Sequence, residues 1–263
     1  MSKYNKKNRY SMPKKKTEPI WVYGYHAVSA CFEQQAENIV EVLIANDDDG
    51  YKPLIDDMRN IGLEVKTVDS QMISKMLDHG ARHQSIAIRL KKNLTHTEAD
   101  LFSIVEKKQL CGKAVMLLVL DGVTDPRNLG ACLRSANGAG VDAVIVPKDN
   151  ASGITSVTRK TASGAAETTP FVQVTNLART LRDLKTRNIW VVGTSDKATE
   201  TIYEQDLNRD LALVVGAEDV GIRALTAKTC DQLVSLPMRG SVNSLNVSVA
   251  SAVCLYEVLR QML

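Results

Sequence analysis

Ala114-Val115-Met116-Leu117-Leu118-Val119-Leu120, running on through Asp121-Gly122-Val123-Thr124-Asp125-Pro126-Arg127-Asn128-Leu129-Gly130, is the stretch on which the fold turns. Seven apolar residues without polar alternation read as a strand buried on both faces. Asp125 can then accept from the first free backbone N–H groups of a helix, with Pro126 at its first position. The same signal recurs at Val141 to Val146, Phe171 to Val174, Ile189 to Gly193, Leu211 to Val215 and Gln232 to Leu236, with helical stretches between. Near-continuous Val, Ile and Leu in these runs predicts an α/β fold with a mainly parallel sheet covered by helices.

Upstream, a smaller α/β unit is predicted over residues 20–91. Helices are expected at His26 to Gln34, Tyr51 to Ile61 and Gln71 to Leu77, with strands at Ile39 to Ala45, Leu63 to Val68 and Ser85 to Leu90. Residues 92–113 read as a polar linker and a lead-in helix ending by Gly112, which places the larger unit at 114–263. Residues 1–19 hold seven Lys or Arg against the single Glu18, so the net charge of +3 conceals a basic arm and a slightly acidic body. Such an arm, with Tyr4 and Tyr10 interleaved, either follows a phosphate backbone or serves only as a solubilising tail.

Composition narrows the class. With 44% hydrophobic and 24% charged residues the chain is that of a water-soluble globular protein. The longest apolar run is far shorter than the roughly 18 residues a membrane span needs, and no apolar signal core is present, so no membrane association and a cytoplasmic location are expected. Cys31, Cys111, Cys132, Cys230 and Cys254 are scattered, with no C-x-x-C pair, and read as buried thiols rather than a zinc site. All four histidines, His26, His79, His83 and His96, precede the larger unit. Chemistry there falls to Arg, Glu, Ser and Asn, and no metal is expected.

In open parallel sheets ligands sit beyond the carboxyl ends of the strands. Three loops meet that description: Asp121 to Gly130, Gly216 to Gly221, and Leu236 to Asn246. In the first, Asn128 and Arg134 lie nearly two helical turns apart, so a shared contact point does not follow. An Arg there is either a solvated helix cation or a fork for a phosphate. In the second, Glu218 and Asp219 stand between two glycines, placing Glu218 at a cleft mouth or making both simple N-terminal charges of a following helix. In the third, Ser244 and Asn246 precede an apolar helix and serve as ligand contacts or as an ordinary N-cap. Gly138-Ala139-Gly140-Val141-Asp142-Ala143 matches the dinucleotide pattern but lies after a helix and before a strand, the reverse of the required context.

Taken together, the loops resemble the three motifs of the SpoU/TrmH family of RNA ribose 2'-O-methyltransferases: Asp125 to Gly130 with Arg134; Gly216-Ala217-Glu218 with Gly221; and Leu236-Pro237-Met238 through Gly240 to Ser244-Leu245-Asn246-Val247. Tyr23-Gly24-Tyr25-His26-Ala27-Val28 and His83-Gln84 are similar to the substrate-binding unit of the branch that methylates a guanosine in 23S ribosomal RNA, an L30e-like unit. The resemblance implies a C-terminal trefoil knot (the SPOUT class), S-adenosylmethionine as cofactor, a homodimer, and RNA as partner, either 23S rRNA or a ribosome assembly intermediate. It assigns Gly193, Thr194, Gly216, Leu236 and Leu245 to the cofactor, and Asn128, Arg134, Glu218, Ser244 and Asn246 to catalysis or RNA positioning. Two residues depart from the pattern: Asp219 stands where many members have a glycine or neutral residue, and Ser85 where this branch often has glycine.

A guanidinium with a pKa above about 12 is an awkward base. Arg134 is therefore expected to anchor a phosphate and stabilise the alkoxide while a neighbouring polar group or water takes the proton. Two other readings compete: a tRNA enzyme of the same family, disfavoured by the extra N-terminal unit, and a non-catalytic RNA-binding relative, disfavoured by the complete motif set.

Overall fold

The computed structural model describes residues 20–45, 49–77, 83–91 and 95–263; the basic arm and His79 lie outside them. The N-terminal unit comprises β1 (Ile20–Tyr23), α1 (Tyr25–Gln35), β2 (Ile39–Ile44), α2 (Lys52–Asn60), β3 (Val65–Thr67), α3 (Ser70–Met76) and β4 (Ile86–Leu90). Its sheet runs β1-β4-β2-β3, antiparallel except for the β2–β3 pair. Of these elements only β1 was not expected from the sequence. Its four residues are too few for a readable period, and it exists by pairing with β4 over Ile20↔Leu90 to Tyr23↔Ala87.

The signature residues of this unit hold it together. Gly24 has φ of +86°, a conformation that favours glycine, and leads into α1, whose first N–H (Tyr25) donates to Gln84 Oε1 at 3.1 Å. Gln84 and Ser85 are themselves left-handed, with φ of +48° and +62°. At Ser85, where the branch this chain resembles often has glycine, the left-handed backbone carries a penalty of about 1 kcal/mol for serine. Buried His83 braces it, Nδ1 accepting from Ser85 N–H at 3.1 Å and Nε2 lying 3.0 Å from Ser74 Oγ. Burial pushes the imidazole pKa below its ordinary value.

Helix α4 (Glu98–Leu110) follows, opened by a reciprocal box in which Thr97 and Asp100 bond each other's backbone N–H. The larger unit then runs β5 (Met116–Asp121), α5 (Pro126–Ala139), β6 (Ala143–Pro147), α6 (Ser156–Ala162), α7 (Ala165–Thr168), β7 (Phe171–Val174), α8 (Leu177–Lys185), β8 (Trp190–Thr194), β9 (Leu211–Gly216), α9 (Ala224–Thr229), β10 (Gln232–Val234) and α10 (Val247–Met262). All six strands are parallel, in the order β10-β8-β9-β5-β6-β7. Leu118 and Leu120 of β5 enter one core with α5 and α10, while Leu117 and Val119 enter the other with α4 and α8. The two-faced burial expected over Ala114 to Leu120 is realised from Val115 on, while Ala114 is exposed before the strand begins. Asp125 caps α5, accepting from Arg127 N–H at 2.8 Å. Left-handed Gly140 ends the helix, with Val141 N–H returning to Ala136 O, so the dinucleotide-like glycines are a helix stop.

The chain moves outward from β5 through β6 to β7, crosses to β8, and returns to insert β9 beside β5. That reversal lies where ligands sit in open parallel sheets. The N-terminal unit docks on the larger one through α1 against α7, where Gly164 lets the backbone of His26 approach: a Cβ there would lie 3.1 Å from His26 O. Gln35 donates to Glu167 at 2.7 Å, Asn38 donates to Gln35 at 2.9 Å, and Glu167 pairs with Arg159, all in buried or half-buried surroundings.

Candidate active site

Beyond the carboxyl ends of β8, β9 and β10 lies a cleft of about 450 Å³. Thr194 closes β8, Gly216 closes β9 and Leu236 follows β10; all three line it, together with Leu245 and Ser244 of the loop before α10. Gly193 lies one residue inward, under Cys230 and Leu233; a Cβ there would meet both at 2.8 Å. The apolar wall is Ile222, Leu233, Leu236, Met238 and Leu245, while Asp196 and Lys197 bring one charge of each sign to the edge.

The second wall is the loop from Gly216 to Arg223. Gly221 N–H donates to Ala217 O at 2.8 Å, and the loop doubles back so tightly that a Cβ on Gly216 would lie 2.0 Å from Gly221 C. No side chain fits at Gly216. Asp121 clamps the loop from beneath. It is fully buried at the end of β5, accepts Arg223 N–H at 2.9 Å, and lies 3.2 Å from Arg223 Nε. Neither residue stood out as a functional candidate in the sequence. The available signal was a carboxylate closing an apolar strand, since a buried charge is retained only with a partner.

Glu218 is carried at the tip of this loop. Its Oε1 accepts from Asn128 Nδ2 at 3.2 Å, from Val247 N–H at 3.2 Å, and from Asn246 Nδ2. Asn246 also donates to Asn128 Oδ1 at 3.0 Å and accepts from Ser248 N–H at 3.0 Å as the N-cap of α10. These contacts give both residues a structural role. Asn246 is the N-cap of α10, with its amide engaged by Ser248, Asn128 and Glu218. Glu218 serves a helix N-terminus, but that of α10 rather than of α9, whose first turn holds no acid. Oε2 of Glu218 and the hydroxyl of Ser244 make no hydrogen bond among the described residues.

Arg134 is elsewhere. Six residues beyond Asn128, or about 9 Å along α5, it lines a separate groove of about 790 Å³ between α1 and α5. Gly130, between them, lets α6 pack on α5: a Cβ there would lie 2.6 Å from Thr158 O.

Burial pushes Cys31, Cys230 and Cys254 up to about 12 and Cys132 to about 11, which favours the protonated thiol; Cys230, expected to be buried, is half-buried, and Cys111, also expected to be buried, is exposed because it follows the end of α4. No cluster of His, Cys, Asp and Glu suited to a metal occurs among the described residues, and no helix there is long and apolar enough to cross a membrane.

Comparison with known proteins agrees with this architecture. Residues 115–256 match the family model of the SpoU rRNA methylase family, and residues 21–95 match that for RNA 2'-O ribose methyltransferase substrate binding. The 23S rRNA (guanosine-2'-O-)-methyltransferase RlmB of Haemophilus influenzae is 51% identical over 92% of this chain and 98% of its own, and that of Pasteurella multocida 50% over the same shares. The crystal structure of the SpoU methyltransferase AviRb from Streptomyces viridochromogenes, in complex with the cofactor AdoMet, has the same fold: TM-score 0.78 at 20% identity, over 93% of this chain and 90% of that one. The A. aeolicus TrmH/SpoU tRNA modifying enzyme aligns with only 62% of this chain and 81% of its own, with TM-score 0.53 at 26% identity. A parallel sheet with three motif loops converging on one cleft, preceded by a matching substrate-binding unit, places the chain in the SpoU rRNA methylase family.

Proposed function

We propose that this chain transfers a methyl group from S-adenosylmethionine to the ribose 2'-hydroxyl of a guanosine in 23S ribosomal RNA. The observation that carries the reading is the convergence of Asn128, at the start of α5, and Asn246, the N-cap of α10, on one carboxylate oxygen of Glu218, which lines the cleft. The high identity to 23S rRNA enzymes over nearly the whole chain supports the ribosomal substrate, whereas the tRNA modifying enzyme aligns with only 62% of it.

The cleft suits the cofactor. Its volume is that of a small-molecule site, its apolar wall suits an adenine, and Asp196 and Lys197 offer partners to the amino-acid end. Gly216 leaves only backbone where a side chain would intrude. Residues holding the cofactor would be Thr194, Gly216, Leu236 and Leu245, with Gly193 keeping the floor close-packed. Bound there, S-adenosylmethionine supplies an already activated methyl, so the protein's work is positioning and removal of one proton.

Glu218 is oriented by three donors on Oε1, which leaves Oε2 to accept the 2'-hydroxyl proton, directly or through a water. Ser244 offers a free hydroxyl on the same wall, and Asn128 and Asn246 hold Glu218 rather than the ribose. Arg134 anchors a backbone phosphate. Homodimerisation is supported by the family resemblance and by exposed Val242 and Val249 near the start of α10; a cytoplasmic location and a knotted path from β10 back to α10 are inferred on the same resemblance.

Labelled methyl should pass from the cofactor to the 2'-oxygen of one guanosine in a 23S transcript, and a Glu218→Ala/Asn246→Ala double variant should incorporate none. Transfer to tRNA alone would overturn the substrate assignment. Arg134→Lys should keep near-normal turnover with weaker RNA binding; full binding with abolished turnover would rule out the anchoring role.

A further inference from the structure

Asp121, beneath the loop that carries Glu218, is buried with its bonding incomplete. The residue is 1% exposed, and Oδ2 accepts Arg223 N–H at 2.9 Å. Oδ1 makes no hydrogen bond among the described residues; it lies 3.2 Å from Arg223 Nε as a charge contact only. A carboxylate buried on those terms adds little net stability, so what it contributes is the geometry it fixes.

That geometry is the span of one loop. The main-chain O of Asp121 accepts Ala217 N–H at 3.2 Å, where the chain leaves β9, and its side chain accepts Arg223 N–H, where the chain enters α9. One residue therefore holds both ends. Gly122 beside it has φ of +87°, and a Cβ there would stand 3.8 Å from both Ala217 Cβ and Arg223 Nη2, so the turn after β5 lies against the same two points. Residues 216–222 between them all line the cofactor cleft. Glu218 meets its donors across a gap, because Asn128 belongs to α5 and Asn246 and Val247 to the start of α10. Where the loop is tied down thus decides where the carboxylate arrives.

We propose, resting on the methyltransferase reading above, that Asp121 is a positioning residue for methyl transfer. Through Arg223 it fixes the span of the loop, which sets Glu218 against the ribose hydroxyl and closes the same loop on the cofactor. The Arg223 side chain is 44% exposed, so it can turn to solvent when the carboxylate is removed, and no charge is stranded. The lesion then stays within the loop.

The test uses the full chain, S-adenosylmethionine and a 23S rRNA transcript, with single-turnover rates and separate titrations of cofactor and RNA. Asp121→Ala should slow methyl transfer by about tenfold or more and raise the cofactor Kd, with RNA Kd within about twofold. Because Asp121 acts through Glu218, the rate loss should shrink to less than about twofold in a Glu218→Gln background, while the weaker cofactor binding persists. A merely structural lesion would multiply the two rate losses instead. Asp121→Asn, which keeps an acceptor for Arg223 N–H, should return the rate to within about threefold of the unaltered chain. Asp121→Ser, polar but too short to reach that N–H, carries the same cycle if the alanine variant fails to fold. A rate within about threefold of the unaltered chain in the alanine or serine variant, or full multiplication of losses in the double variant, would overturn the proposal. Failure of the unaltered chain to methylate the transcript would instead count against the methyltransferase reading.

Discussion

Two helices in this molecule begin under a side chain sent from a distant loop, and the two cases differ in what is left over. At α1, Gln84 Oε1 receives the Tyr25 N–H from 59 residues away, in a turn where a Cβ on Gly24 would come within 3.0 Å of the same oxygen. At α10, Glu218 Oε1 receives the Val247 N–H together with two Asn amides, on the wall of a cleft, with its second oxygen unpaired. Both contacts satisfy a helix end. Gln84 lines neither cavity described above and ties the turn before β4 to α1; Glu218 has a spare acceptor on a cofactor-sized cleft. On the function proposed above, spare bonding capacity next to a cavity is what separates a site residue from a structural one.

That contrast is open to direct challenge. Glu218→Gln keeps an oxygen for the three donors but removes the proton acceptor. It should lower kcat by roughly 100-fold while changing folding stability by less than about 1 kcal/mol; methyl transfer within a few-fold of the unaltered chain would show that Oε2 is idle. Gln84→Met should do the reverse, costing about 1 kcal/mol in a denaturation experiment for the lost cap with kcat unchanged. A fall in kcat comparable to that of Glu218→Gln would erase the distinction.

Smaller effects sharpen the structural half. Burial depresses the His83 pKa in the folded state, so the neutral ring is favoured and its contribution is complete above the ordinary histidine value of about 6.5. As pH falls below that value the unfolded chain takes up the proton first, and stability declines towards the lower folded-state pKa. Denaturation midpoints at pH 7.5 and 5.5 should therefore diverge, and His83→Gln should narrow the gap; an unchanged gap would relieve His83 of the role. Ser85→Gly should stabilise by about 0.5 kcal/mol, the relief of a left-handed serine offset in part by a freer unfolded chain. A destabilised variant would mean that the serine side chain compensates for its backbone.

Much of this architecture was legible beforehand, for identifiable reasons. The six strands of the larger sheet emerged within about two residues because burial on both faces leaves uninterrupted apolar runs, and α5 announced itself through Asp125 and Pro126. The three motif loops were readable because each follows a strand that could be placed. Asp121 carries a local signal, a carboxylate closing an apolar strand, but its partner Arg223, 102 residues away, has none. Likewise the equal claims of cap and ligand at Asn246 could not be weighed until Asn128 and Glu218 were found within bonding distance of it.

By itself the sequence determined the α/β class, the strands buried on both faces and the three motif loops, since strand burial, helix caps and motif residues are properties of short segments. Tertiary structure alone decided that Glu218 belongs to the helix end of α10, that Asn246 is already saturated, and that Arg134 faces a second groove instead of the cofactor cleft. Those outcomes depend on the crossing that inserts β9 beside β5 and on the docking of α1 against α7, long-range contacts whose geometry no local pattern encodes.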